Sequence, residues 1–393
     1  MNRKIVLAPH RYVQGPGTLS QISEHLEILG ICRPLILADP NVIKACIKRM
    51  TDDLETAGIA GNFVEFGGES TWDEIARVKD ACLQDTHDAI ISCGGGKTLD
   101  TGRAAAAGTA INYGVVPPRK MEQVGADVSC VQVPTIASTD APTARASLIY
   151  DAKGVFETVI LVPTNPTMVL VDTEIIAKAP VRTLVAGMGD AMATRFEAEV
   201  CHRTGALTHA GGRTSRAALA LARLAFDILM EFGIKAKKEN EAGVPGPALE
   251  AVVEANILLS GIGYESGGLS AAHAIADSLT ILGESFTTPP YHGELVSFGT
   301  LAQLLLEERP MGLVEQVIQF CRAVGLPSTL ADMGIRHVSA QDLERVADAA
   351  SKDPLIRSMP QASETPDAEG RFYDPGKILN CLRAAEVYGE TGN

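Results

Sequence analysis

One Asp and two His, far apart in the chain, have the types and settings of metal ligands. They stand in Gly187-Met-Gly-Asp190, Ser270-Ala-Ala-His273 and Tyr291-His292-Gly-Glu294. Two neutral imidazoles and one carboxylate would leave a zinc ion with one net positive charge and an open position, the make-up of a catalytic zinc centre. A His one helical turn after Asp190 would suggest iron instead; Thr194 stands there and cannot take that part. Residue types alone leave the ordinary readings open. Most His are surface or satisfied core residues, and a lone Asp is usually a cap.

Gly94-Gly-Gly-Lys-Thr98 is a second chemical feature, set between a buried-looking strand and a helix. Gly94, Gly95 and Gly96 let the backbone approach an anion, the helix N-terminus offers free N–H groups and a positive dipole end, and Lys97 adds a point charge. A tight strand–helix turn that needs glycine is the plainer explanation; Lys97 shifts the weight toward a pyrophosphate cradle. A P-loop would need Gly five residues before Gly96, where Ile91 stands, and no G-x-G-x-x-G marks the first strand–helix junction. Asp39, at the end of an earlier strand, is placed to bind ribose hydroxyls, and an acid there favours NAD over NADP. As a turn residue before Pro40 it reads equally well.

The elements that must position these groups alternate in the first part of the chain. Pro34–Asp39, Asn62–Phe66, His87–Cys93 and Cys130–Val133 read as strands; Val42–Ala57, Thr71–Asp85 and Thr98–Ala107 read as helices. Thr71 is an N-cap with Glu74 three positions on, as in a capping box. Repeated β-α-β order predicts a parallel sheet with helices on both faces. Near the Pro-rich stretch Val162–Met168 the character changes. Beyond Asp172 the spacing is helical, in Thr183–Thr204, Thr214–Phe232, Gly246–Ser260 and Ser270–Leu282, with exposed loops expected at Glu239–Gly246 and Ser358–Gly376. The expected organisation is an α/β domain over residues 1–164 and an all-helical domain over 165–393, with ligands in the cleft between them.

Composition bounds the function. The 393 residues are long enough for two full cores. A net charge of −14 argues against nucleic acid or an anionic membrane as partner. Eight Cys lie without C-x-x-C spacing, as in a reduced, cytoplasmic protein. The N-terminus lacks the apolar core of a secretory signal. The most apolar long stretch, Ala217–Ile234, is interrupted by Arg223, Asp227 and Glu231, which makes it an amphipathic or core helix and not a membrane span.

Taken together, Gly94–Asp100, Pro134–Thr143, Gly187–Ala191, Glu265–Leu269 and Tyr291–Glu294 resemble glycerol dehydrogenases of the zinc-using branch of the iron-containing alcohol dehydrogenase superfamily. The resemblance runs from about Tyr12 to the C-terminal helix. It implies a dehydroquinate synthase-like architecture: an N-terminal dinucleotide-binding α/β domain with a parallel sheet, an all-α C-terminal domain, and NAD and zinc in the cleft. It places the zinc ligands on Asp190, His273 and His292, and the NAD phosphates on Gly94, Gly95, Gly96, Lys97 and Asp100. Further cofactor contacts fall on Asp39, Thr135 and Ser138, with Tyr150 near the nicotinamide. Asp140 falls where the substrate hydroxyls bind. It also implies a polyol substrate and a homo-oligomer.

The chain departs from that pattern around the expected pocket. Ala144 and Ala146 replace two side chains expected near the nicotinamide, and Arg145 adds a charge. Ala276-Asp277 replaces His-Asn, and Phe286–Pro290 replaces an aromatic, His-rich approach. Hydride transfer is therefore expected and the alcohol is open: glycerol, another diol, a hydroxyketone or a 2-hydroxy acid. Arg145 would pair with the acid's carboxylate, or else point to solvent or a subunit contact. A lyase or cyclase of the dehydroquinate synthase type would need more cationic residues in the cleft. An NAD- and zinc-binding protein without catalysis would be marked by a broken ligand set or a lost Asp140, and both are intact.

Overall fold

The computed structural model describes residues 3–40, 43–112, 121–335 and 338–391. Its strands are β1 (Arg11–Gly15), β2 (Pro34–Ala38), β3 (Asn62–Glu65), β4 (Ala89–Gly94), β5 (Thr109–Asn112), β6 (Met121–Gln123), β7 (Ser129–Pro134), β8 (Ala146–Tyr150), β9 (Phe156–Leu161) and β10 (Met168–Asp172). Six form one parallel sheet in the order β1-β10-β7-β4-β2-β3. Strands β2, β4 and β10 are buried along their whole length, which is why they are mostly apolar and do not alternate with polar residues. Successive side chains serve opposite layers. Ile36, Ile91 and Leu170 pack with Ile22, Leu26, Met50 and Leu54 on one face. Leu35, Leu37 and Ile90 pack with Ile75, Val78 and Ala104–Ala106 on the other.

Three features differ from the sequence reading. A second, antiparallel sheet of order β6-β5-β9-β8 flanks the first. β10 lies beyond the Pro-rich stretch yet sits between β1 and β7, so the N-terminal layer runs on to Asp172, past the boundary at residue 164. The prolines mark the passage from β9, in the small sheet, back to the large one. Helix Arg216–Glu241 continues into the segment expected to be a loop, because buried Asn240 donates from Nδ2 to the carbonyls of Ile176 and Ala177 at 3.0 and 3.1 Å. Thr71 does accept from the Glu74 N–H at 3.1 Å. The Glu74 carboxylate, however, goes to the Gly67 N–H and to Arg77, so half of the capping box forms. Helix Ile43–Thr56 fills the helical span expected after β2; Val42 lies outside the described residues.

From residue 173 onward the described elements are helices, joined by loops that include residues 359–374. One core cluster unites the helices around Val181–Thr204, with Phe196, Phe226, Leu229, Ile275, Phe298 and Leu301 inside it. No helix among the described residues is long and apolar enough to cross a membrane. Cys32, Cys82, Cys130, Cys201, Cys321 and Cys381 are in no disulfide.

Candidate metal centre and cofactor edge

Glycines explain how three ligands from distant segments meet. Helix Val181–Thr204 carries Asp190, helix Ala271–Leu279 carries His273, and His292 opens helix His292–Leu306. A Cβ on Gly189 would stand 2.3 Å from the Gly293 carbonyl, and one on Gly293 would stand 1.8 Å from the Ala186 carbonyl. Only backbone without side chains lets the two helices touch here. Glu294 locks the contact. Its carboxylate accepts from the Tyr291 N–H at 2.8 Å and takes both Nε and an Nη of Arg182, at 2.7 and 2.8 Å, from the start of the Asp190 helix.

The result is a cluster in which one ligand atom each from Asp190, His273 and His292 lies within 4.8 Å of the others. Asp190 Oδ1 is 3.2 Å from His273 Nε2 and 3.7 Å from His292 Nε2. Asp190 and His273 are buried while His292 is exposed, so the centre opens on one side. Burial works against the charge of Asp190, yet the two imidazoles hold its carboxyl below the ordinary range. Burial likewise favours a neutral His273, but Glu197 and Asp190 raise it well above its usual 6.5. The pocket gathers carboxylates and nitrogen donors, and among the described residues no Lys or Arg pairs with Asp190 or Glu197. That donor set fits a divalent cation.

Asp140 approaches the same point. Gly187 lets the Ala137 carbonyl come against the Asp190 helix, where a Cβ would be 2.0 Å from it. Buried Asn256 clamps the loop by donating to the carbonyls of Ala137 and Leu184 at 3.0 and 3.1 Å. Asn256 stands in a π-helical stretch, Ala255–Leu259, just before helix Ser260–Gly267; such insertions often mark functional sites. Ser260 donates to Asp140 Oδ2 at 2.8 Å and shares a 2.9 Å bond with Thr194. Burial and the neighbouring Asp190 charge push the Asp140 carboxyl up to about 8.

The cofactor candidates line the C-terminal edge of the parallel sheet. Chain order reverses between β2 and β4, and such a switch point forms a crevice for ligands. Asp39 flanks it, its N–H bonded to the Cys93 carbonyl at 3.0 Å. Gly94 to Lys97 lead into helix Gly96–Ala106, whose N-cap Gly95 makes no side-chain cap bond. A Cβ on Gly96 would meet open space, so the helix N-terminus has room for an anion. Thr135 bonds the Gly94 carbonyl through its N–H at 3.1 Å, and half-buried Ser138 lies three residues on, toward Asp140. Lys97 is exposed, 2.5 Å from a Glu69 oxygen and 5.0 Å from the centre of the Tyr150 ring. Asp100 is turned inward, accepting from Arg103 at 2.7 Å and from the Leu148 N–H at 3.1 Å.

Arg145 does not join the site. Its guanidinium reaches Glu265 at 3.3 Å and the His209 carbonyl at 2.9 Å, so the carboxylate expected from a substrate is supplied by the chain itself. Sequence reasoning missed Glu197, Asn256 and Ser260. For Glu197 a signal existed: Asp190, Thr194 and Glu197 fall at i, i+4 and i+7, a polar stripe on one face of an otherwise apolar helix.

Comparison with known proteins gives a consistent result. The family profile "Iron-containing alcohol dehydrogenase" matches residues 9–173. A glycerol dehydrogenase of Thermotoga maritima is 43% identical over 382 residues, covering 97% of this chain and 96% of that protein. A glycolaldehyde reductase of Halobacterium salinarum is 40% identical over 97% of both chains. The crystal structure of glycerol dehydrogenase from Schizosaccharomyces pombe superposes with a TM-score of 0.86 at 31% identity, over 100% of this chain and 92% of that one.

Proposed function

The chain belongs to the iron-containing alcohol dehydrogenase family, and on that premise we propose that it oxidises glycerol or a related vicinal diol to the hydroxyketone, with NAD as hydride acceptor and zinc as the metal. The observation that carries the reading is the convergence of Asp190, His273 and His292 beside Asp140. When bound, zinc supplies Lewis-acid polarisation of a hydroxyl, and NAD supplies the carbon that accepts the hydride.

The chain's own residues do the rest. Asp140, oriented by Ser260, accepts a hydrogen bond from a second hydroxyl and so turns one carbon toward the nicotinamide. In balance, one hydride leaves that carbon for NAD, and the hydroxyl proton is released. Gly94–Lys97 hold the pyrophosphate, Asp39 the ribose, Thr135 and Ser138 the remainder of the dinucleotide, and Tyr150 borders the nicotinamide. Asp100 acts behind the loop, holding Arg103 and β8 in place. Because Arg145 is paired with Glu265, a neutral substrate suits the pocket better than a 2-hydroxy acid. Scattered free thiols support a cytoplasmic location, and the family resemblance supports a homo-oligomer.

The test is the initial rate of NAD reduction by zinc-loaded protein across glycerol, 1,2-propanediol, 2,3-butanediol and several 2-hydroxy acids, with dihydroxyacetone run in reverse. Preference for the diols supports the proposal; activity confined to hydroxy acids, or none at all, ends it.

A further inference from the structure

Glu197 has no place in the reaction just described, yet it is a fully buried carboxylate. Burying such a charge is costly unless each oxygen is satisfied. Its partners converge on one residue. Oε1 accepts the backbone N–H groups of Ser270 and His273 at 2.8 and 3.0 Å, and Oε2 meets His273 Nδ1 at 2.6 Å. Helix Ala271–Leu279 has no side-chain cap from its own N-cap, Ser270; the Glu197 carboxylate takes that part from a neighbouring helix. The backbone and the ring of His273 are thus fixed by the same group. The ring is strung between Glu197 on Nδ1 and Asp190 on Nε2.

We propose that Glu197 is a positioning residue of the metal centre, which keeps the His273 proton on Nδ1 and leaves the Nε2 lone pair for the ion. The proposal rests on the metal reading above. A metal-bound imidazole keeps a single N–H, and a carboxylate accepting it sets the tautomer and ring angle and makes the ring a better donor. The Asp190–Glu197 spacing of two helical turns on one face is what allows one helix to supply both a ligand and the partner of another ligand.

Glu197→Gln discriminates this from simple capping. The amide has one acceptor oxygen where the carboxylate has two. If that oxygen keeps the two backbone N–H bonds, the NH2 group faces Nδ1 and forces the proton onto Nε2. The cap then survives while the ligand is lost. Zinc affinity of the wild-type and E197Q proteins, measured by chelator competition, with far-UV circular dichroism recorded on both, is the experiment. A 10–100-fold weakening with the fold intact is expected. Affinities equal within twofold overturn the proposal alone; a wild-type protein that takes up no zinc overturns the metal centre and the proposal together. Should E197Q not fold, 15N-histidine spectra of the zinc-loaded wild type decide: a slowly exchanging proton on His273 Nδ1 upholds the proposal, and an Nδ1 without one overturns it.

Discussion

Gly293→Ala tests whether helix contact, and not the ligands alone, builds the metal centre. The added Cβ would lie 1.8 Å from the Ala186 carbonyl oxygen and 3.0 Å from the Asp190 nitrogen. A carbon–oxygen contact needs about 3.3 Å, so the two helices must part by ~1.5 Å. His292 precedes Gly293 and moves with it. Its Nε2, now 3.7 Å from Asp190 Oδ1, would end near ~5 Å, well outside the ~0.2 Å tolerance of a zinc site. Structural zinc held by four protein ligands binds with ~10–16 kcal/mol, so the loss of one ligand is worth roughly 3 kcal/mol, or ~100-fold in zinc affinity. Overpacking adds a loss of ~1–3 kcal/mol in stability, although alanine is the better helix former by ~1 kcal/mol. Chelator-competition titration of the variant beside the wild type reads the first effect, and denaturant unfolding reads the second. A variant that folds and binds zinc as tightly as the wild type would refute the reasoning.

Other perturbations probe separate parts of the account. Asp140→Asn should lower kcat/KM for diols by ~100-fold or more while zinc affinity stays within a few-fold; unchanged diol kinetics would remove Asp140 from the substrate site. Lys97→Ala should raise the KM for NAD by ~10-fold and leave kcat nearly unchanged, since its charge serves binding and not the hydride step; an unchanged KM would place the phosphates elsewhere. Asp353 gives a pH signature in the metal-free protein. Burial, with Asp277 adding to it, lifts its carboxyl from the ordinary 3.8 to about 6. The folded state therefore binds the proton more tightly than the unfolded chain. Its charge costs nothing below pH 3.8 and its full amount above 6, at most about 3 kcal/mol and less for a partly exposed group. Asp353→Asn keeps an N-capping side chain and should gain stability over wild type between pH 4 and 6, then hold a constant lead; melting curves that stay parallel across that range would contradict the assignment.

Much of the fold was legible because burial leaves a mark in composition. Strands β2 and β4 are covered on both faces and carry apolar runs, Leu35–Ala38 and Ala89–Ile91, that read as strands, whereas β10 is as deeply buried but follows the Pro-rich stretch, which hid it. Strands β5 and β6 left a weaker mark because they are four and three residues long and β6 is exposed throughout, while β8 and β9 are as long as β2 and β4 but only partly covered, so no unbroken apolar run set them apart from loop. The metal trio could be named from its residue types and from motifs that resemble a known family; what the glycines beside Asp190 and His292 do, close helix contact, shows only in the structure. The trio's geometry could not be read, since it depends on crossings between segments about a hundred residues apart. Asn256 and Ser260 escaped for the same reason. An Asn or Ser in a helical run is ordinary until the π-helical stretch aims it at a loop formed by residues 137–140. Arg145 shows another limit: a new charge near a pocket left two readings, a substrate carboxylate or solvent and a subunit contact, and its partner is Glu265 within the chain.

The central claim is that one divalent ion, held by Asp190, His273 and His292, serves the oxidation of a diol. It is tested most directly by stripping the protein with a chelator and adding zinc back in fractions of an equivalent while following glycerol-dependent NAD reduction. The account predicts negligible activity at the start, a linear rise, and a plateau at one zinc per chain. Full activity in the stripped protein, or a rate that ignores added zinc, would contradict it.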